Sequence, residues 1–259
     1  MRLTTLGDLL LDVVVHANHA LTPGDDTVAS TRARPGGQAA NVAAWAAKLG
    51  ADARFVGKRG DDLAGRLTGD ALRAYGVEVC GPCAGSTGVV VSLTAAGERT
   101  MASDRGSATE LRPDELDSTW FDCDVLHISG YAIAVEPGSD AAIAAATLAR
   151  DHGALVSVDI SAASLVDDAF RDRLRRIAPD LVFATEPERD AVGGLTARWL
   201  VKRGPNGVTV DGQNFPPAPG DVIDPTGAGD AFAAGFFVGG VEGGLTAAAA
   251  CCAQLGAMP

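Results

Sequence analysis

Aromatic side chains are scarce in this sequence, 5% of 259 residues, while the apolar fraction reaches 47% and Ala and Gly are abundant. That balance suits helices packed closely on a sheet and argues against a disordered chain, which could not bury enough apolar surface to fold. Basic charge is short as well. Lys and Arg number 21 against 33 Asp and Glu, a formal charge of −12. Binding a phosphate backbone needs clustered cations that release counterions, so no nucleic-acid partner is expected, and an acidic surface disfavours anionic membranes. No apolar run reaches about 18 uninterrupted residues, so no spanning helix is expected. The short apolar stretch in residues 1–8 is broken by Gly7 and Asp8 before it could form a signal-peptide core, and the chain reads as cytoplasmic.

Cysteine is sparse and odd in number: Cys80, Cys83, Cys123, Cys251 and Cys252. A chain of this size needs no disulfide staples, which is consistent with a reducing compartment. Cys80-Gly81-Pro82-Cys83 spells a redox-type C-x-x-C, but it reads as a turn among strands rather than the start of a helix that would lower the first thiol's pKa. Adjacent Cys251 and Cys252 lack the spacing of zinc ligands. No G-x-x-x-x-G-K-[ST] occurs, which excludes a P-loop NTPase, and no G-x-G-x-x-G follows the first strand, which argues against a nicotinamide-dependent oxidoreductase.

What is present is an alternation of strand and helix. Residues 3–11 form an apolar run punctuated by Gly7 and Asp8, the pattern of a buried strand ending at a functional loop. Residues 41–49 carry Val42, Trp45, Ala46 and Leu49 at helical spacing and end on Gly50. Residues 53–57 return to strand, and residues 62–75 read as a second helix. The rhythm resumes at residue 125: strands at 125–129, 155–159 and 181–183, helices at 139–152 and 168–177, a short helix, and strands at 199–201 and 208–210. This predicts a mainly parallel sheet covered by helices on both faces in a single unit spanning 1–259. Two polar, alternating segments, about 13–34 and 77–102, have strand character without helical pattern and predict a small separate sheet.

The strongest chemical signal is Asp224-Pro225-Thr226-Gly227-Ala228-Gly229-Asp230-Ala231-Phe232. A glycine-rich turn opening a helix aims several backbone N–H groups at one point, where they and the positive helix end attract an anion. Small residues at Gly227, Ala228 and Gly229 let a phosphate approach the backbone. Asp230, at the helix start, is placed to accept a proton from an attacking hydroxyl. A plain glycine-rich N-cap is the alternative. Gly36-Gly37-Gln38-Ala39-Ala40-Asn41-Val42-Ala43 is a second glycine turn feeding a helix, with Asn41 offering donor and acceptor to a polyol. Residues 57–65 form a third such turn, whose glycine spacing and Asp capping give it a structural reading.

With these three pieces in this order, the chain resembles the ribokinase (PfkB) family of carbohydrate kinases over essentially its whole length. The resemblance implies a ribokinase-like three-layer α/β/α sandwich with a small β lid, and ATP-dependent transfer of a phosphoryl group to a sugar hydroxyl. It implies Asp230 as base and the amides of Gly227, Ala228 and Gly229 as an anion hole. It implies Asp12, Gly36, Gly37 and Asn41 as sugar contacts. Thr185, Lys202, Gly204, Gly207 and Thr226 would serve the ATP site, with Glu188 and Asp224 on the magnesium side. The N-x-x-E element stands here as Thr185-Glu186-Pro187-Glu188. The nucleotide side is shortened after Thr185 and again between Gly207 and Asp224, which motivates a second reading, a member that binds sugar with little or no catalysis. A monovalent-cation (K+) site and a homodimer through the lid are also implied.

On substrate, residues 104–108 and 126–130 look like segments of 2-keto-3-deoxygluconate kinases, where Arg105 would pair with a substrate carboxylate. Glu136 stands about where ribokinase-like members place a sugar-contacting Glu. Ribose, fructose, 2-keto-3-deoxygluconate and nucleosides all remain on the substrate list.

Overall fold

The computed structural model describes residues 1–96 and 98–259, the side chain of Arg99 excepted. Among these residues the main sheet has nine strands. Their spatial order is β13 (Gln213–Phe215), β12 (Val208–Val210), β11 (Arg198–Lys202), β10 (Leu181–Thr185), β9 (Leu155–Asp159), β8 (Val125–Ser129), β1 (Arg2–Leu6), β4 (Asp52–Val56) and β5 (Glu78–Cys80). From β11 to β5 every neighbouring pair is parallel, and β12 and β13 turn back antiparallel.

Strand residues alternate between two cores, as a period of two requires. On β10, Leu181 and Phe183 face one core, and Val182 and Ala184 the other. The first core is closed by α1 (Gln38–Lys48) and α7 (Ala228–Cys252), the second by α4 (Gly138–Asp151) and α5 (Asp168–Ile177). Helices on both faces of a mostly parallel sheet make the three-layer α/β/α sandwich. Complete burial of Phe55, Phe170 and Phe183 contributes about 1.5–3 kcal/mol each. The remaining helices are α2 (Leu63–Ala74), α3 (Gly130–Ile133) and α6 (Glu186–Val192). Local capping starts several helices: Asp62 accepts from the Gly65 amide at α2, and Asp167 from Phe170 at α5.

A second, four-stranded sheet runs β3 (Ala29–Gly36), β2 (Leu10–Ala17), β6 (Thr87–Ala95), β7 (Glu98–Gly106). This is the lid. Its strands reach beyond the segments expected at 13–34 and 77–102, and Glu78–Cys80 belongs instead to the main sheet, beside β4. Residue 97 lies outside the described residues. The 57–65 turn is structural: Asp62 accepts from the Gly65 amide and from both the amide and hydroxyl of Thr87, tying α2 to the start of β6. Burial pushes the Cys80 thiol up to about 11, which suits a packing residue rather than a redox thiol.

By length and composition α7 could span a membrane. It is a core element instead. Its backbone leaves helical geometry at Gly239 and Gly240, and its halves fold against each other so closely that a Cβ on Gly235 would stand 2.4 Å from the Gly243 carbonyl. The first half buries Ala231, Phe232, Ala233, Ala234 and Gly235.

Candidate active site

The lid sheet stands over the C-terminal ends of β1 and β8, the edge where open α/β sheets hold ligands. Between lid and sheet lies a cleft of about 1080 Å³. Asp12, Arg105, Asn41 and Asp230 all line it, so residues from β2, β7, α1 and α7 converge there.

Asp230 occupies the first turn of α7. Its Oδ2 accepts a 2.7 Å hydrogen bond from Asn41 Nδ2, which joins the two glycine-turn motifs across 189 residues. Burial pushes the Asp230 carboxyl up to about 7; the Asn41 hydrogen bond and the charge of Lys202 pull the other way, and the charges of Asp159 and Asp8 reinforce the rise. A carboxyl poised near neutrality is suited to general-base work. The turn before it requires glycine: Gly227 has φ +81°, and a Cβ there would stand 2.5 Å from Ala257 Cβ. Asp224 shapes this turn. Its Oδ1 accepts from the Thr226 amide at 2.9 Å and its Oδ2 from the Gly256 amide at 3.0 Å. Within the turn, the Ala228 amide donates to the Pro225 carbonyl, so of the three amides expected to form the anion hole, one is engaged locally.

On the far side of the turn lies Lys202, at the end of β11. Its ammonium donates to Asp159 Oδ2 at 2.6 Å, and a Cβ on Gly229 would come within 3.3 Å of it. Burial lowers the Lys202 pKa, but the charge and hydrogen bond of Asp159, with Glu188 and Asp230 behind, outweigh it and leave it raised, so the ammonium stays charged. Thr185 pairs with Lys202 across β10 and β11 and caps α6, where Glu188 Oε2 accepts the Thr185 amide at 2.7 Å. Among the described residues no three His, Cys, Asp or Glu side chains gather as a metal-holding group. Asp224, expected on the magnesium side, instead holds the loop with both oxygens.

Other expected residues fall as follows. Gly36 packs against the Asp12 carboxylate, and Gly37, φ +104°, would place a Cβ 2.4 Å from the Asp8 carbonyl. Both keep this loop tight. Gly204 is exposed; Gly207 is buried against the Phe215 carbonyl, where a Cβ would stand at 2.0 Å. Neither lines the cleft around Asp230. Glu136 is placed elsewhere: exposed, paired with Arg173 at 3.2 Å and absent from the cleft wall. Arg105 lines the cleft but is already paired with Asp8, at 2.6 Å. His127, in a segment read as substrate-related, is a core residue, buried between Phe183 and Phe237 and bonded to Ser157; burial pushes it down to about 4.

Sequence reading missed Asp8, Asp159 and Tyr131. For the two aspartates the available signal was position, each at the C-terminal end of a parallel strand where the cleft opens.

A sequence profile described as pfkB family carbohydrate kinase matches residues 2–258. The chain is 30% identical over 273 residues to the fructokinase of Escherichia coli, covering 93% of this chain and 85% of that protein. It is 26% identical over 274 residues to the 5-dehydro-2-deoxygluconokinase of Geobacillus thermodenitrificans, covering 92% and 80%. It shares its fold with an Escherichia coli structure described as a ribokinase II with ATP and Mg2+ bound, at a TM-score of 0.82 and 22% identity, covering 99% of this chain and 94% of that one.

Proposed function

Because this chain belongs to the pfkB family of carbohydrate kinases, and is therefore a phosphotransferase acting on an alcohol group, we propose that it uses ATP to phosphorylate a sugar hydroxyl with Asp230 as the base. The observation that carries this reading is the meeting of Asp230, Asn41 and the Gly227 turn at one wall of the cleft. Asp12, Asn41 and the tight Gly36-Gly37 loop hold the acceptor. Asp230 orients its hydroxyl and takes its proton as the acceptor oxygen bonds to the terminal phosphorus of ATP and ADP leaves. Lys202, charged and beside Gly229, offsets the negative charge that spreads over the transferring group, and the open amides of the α7 start do the same. Asp159 holds that ammonium in place.

Magnesium accompanies ATP and supplies charge neutralisation at its phosphates. Such an ion takes one or two carboxylates and draws its other ligands from phosphate and water, so a lone Glu188 with one oxygen committed to the Thr185 amide fits a nucleotide-borne ion rather than a protein cage. Thr226, Gly204 and Gly207 are placed on the nucleotide side in this reading. Two lids pairing through their open edge strands β3 and β7 would give a homodimer, and sedimentation showing monomer alone at micromolar concentration would remove that part of the reading.

The test is a coupled ADP-release assay with ATP and magnesium against ribose, fructose, 2-keto-3-deoxygluconate and nucleosides, in K+ and in Na+, beside Asp230→Asn. The expected result is turnover of a sugar that falls by about 10²–10⁴ in the variant. Sugar binding by calorimetry without turnover of any acceptor would favour the second reading, a sugar-binding member without catalysis, for which the exposed Gly204–Asn206 turn on the nucleotide side is the supporting observation.

A further inference from the structure

Asp8 stands two residues after β1 and lines the cleft, yet it is only 3% exposed. Its Oδ2 accepts the 2.6 Å bond from Arg105. Its Oδ1 is buried with no hydrogen-bond partner among the described residues. Native structures leave few buried polar atoms unsatisfied, and one on a residue that lines a cleft is a candidate for a partner supplied by a ligand. Asn41 Oδ1 is a second such atom in the same cleft.

Arg105 shows why Asp8 stays in this position. It reaches from lid strand β7 to the loop after β1, and its guanidinium lies over the Tyr131 ring, 3.3 Å from the ring centre. Stacking and ion pair together fix both partners. The charge that could have read a substrate carboxylate is already matched by Asp8, and a substrate anion brought here would meet the Asp8 carboxylate as well.

We propose that Asp8 is a specificity-determining residue, its Oδ1 accepting a hydrogen bond from a substrate hydroxyl, with Arg105 as its positioning residue rather than an anion reader. This rests on the acceptor site assigned above and narrows its substrate class. Two unpaired acceptors, Asp8 Oδ1 and Asn41 Oδ1, favour a ligand that presents hydroxyl donors, and the Asp8 carboxylate beside Arg105 disfavours an anion there, so the acceptor class is an uncharged polyol rather than a sugar acid.

Asp8→Asn is an informative variant because Arg105, which has only donors, claims the remaining carbonyl oxygen and leaves an amide donor where the open acceptor was. The experiment measures KM, kcat and calorimetric Kd for neutral sugars, their single-deoxy analogues and 2-keto-3-deoxygluconate, in wild type, Asp8→Asn, Arg105→Met and Arg105→Lys, with thermal melting as a folding control. The expected result is a rise of about 10–100-fold in KM and Kd for the neutral sugar in Asp8→Asn, with kcat and the KM for ATP within about threefold. Arg105→Met shows the same split, and Arg105→Lys, which restores a cation beside Asp8, recovers part of it. One deoxy analogue binds wild type as weakly as the parent sugar binds Asp8→Asn. The proposal is overturned if Asp8→Asn leaves neutral-sugar affinity unchanged, if no deoxy analogue loses affinity in wild type, or if Arg105→Met weakens the sugar acid while sparing neutral sugars. Absence of turnover in wild type would sink the kinase reading alone, since the calorimetric comparison still decides for or against Asp8.

Discussion

On the proposed reading, the acceptor and nucleotide sides of this protein are built from different kinds of structure. On the acceptor side, Asp8 and Asn41 are 3% and 6% exposed, braced by α1, by the start of α7 and by a lid strand. On the nucleotide side, the Gly204–Asn206 turn is exposed, and the sheet ends there in two strands of three residues each, β12 and β13. Buried, cross-braced polar groups hold their geometry before any ligand arrives, whereas short edge elements are ordered at little cost by the ligand itself. On the proposed reading the sugar site is preformed and the ATP site is completed by ATP. Lys202 lies at the border, anchored to the buried Asp159 but adjoining Gly229.

The largest break in this asymmetry is expected from Lys202→Met. Removing this cation should lower kcat by about 10², comparable to loss of one oxyanion donor, while the calorimetric Kd for sugar stays within about twofold of wild type. A matching loss of sugar affinity would instead make Lys202 part of the acceptor side and erase the distinction.

A smaller effect tests how the acceptor side tunes the proposed base. With Asp230 pushed up to about 7, the active, deprotonated form grows in as pH rises, so kcat/KM should climb through a limb near pH 7. The Asn41 hydrogen bond holds that value down, so Asn41→Leu should move the limb to higher pH, while the lost acceptor contact lowers kcat/KM at every pH; the position of the limb, not its height, is the readout. The sign for stability follows from the same shift. A carboxyl whose folded pKa lies above its ordinary 3.8 stabilises the fold at low pH and loses that contribution as pH rises through about 7. Asp230→Asn should therefore gain more in Tm at pH 8 than at pH 5, measured by calorimetric scans.

Much of this arrangement was readable in the sequence, and the reason is locality. The main sheet announced itself through apolar runs closed by Gly or Asp, and the glycine turns at Gly36-Gly37 and Gly227 carry their chemistry within a few residues. The lid was harder. Its strands are exposed on much of both faces, as at Thr31, Arg32 and Ala33, and the three-residue β5 is too short for a period to show which sheet it joins. The ion pairs were hidden for a different reason. Asp8 finds Arg105 across 97 residues and Asp159 finds Lys202 across 43, and no spacing rule connects them. Only the crossing of lid over sheet and the parallel order of β9, β10 and β11 bring these partners together.

Glu136 marks the opposite case, a residue whose sequence position suggested a sugar contact that the fold withholds. It precedes α4 outside the cleft wall, and its carboxylate pairs with Arg173 of α5, which also donates to the Ala134 carbonyl at 2.6 Å. An exposed ion pair of this kind is worth about 0–1 kcal/mol. Glu136→Gln should therefore leave sugar KM and kcat within about twofold and shift stability by less than about 1 kcal/mol in urea unfolding, the smallest effect in the series. If its sugar KM rose tenfold with stability unchanged, the segment before α4 would have to close over the cleft when sugar binds, and the acceptor side would be less preformed than its buried bracing implies.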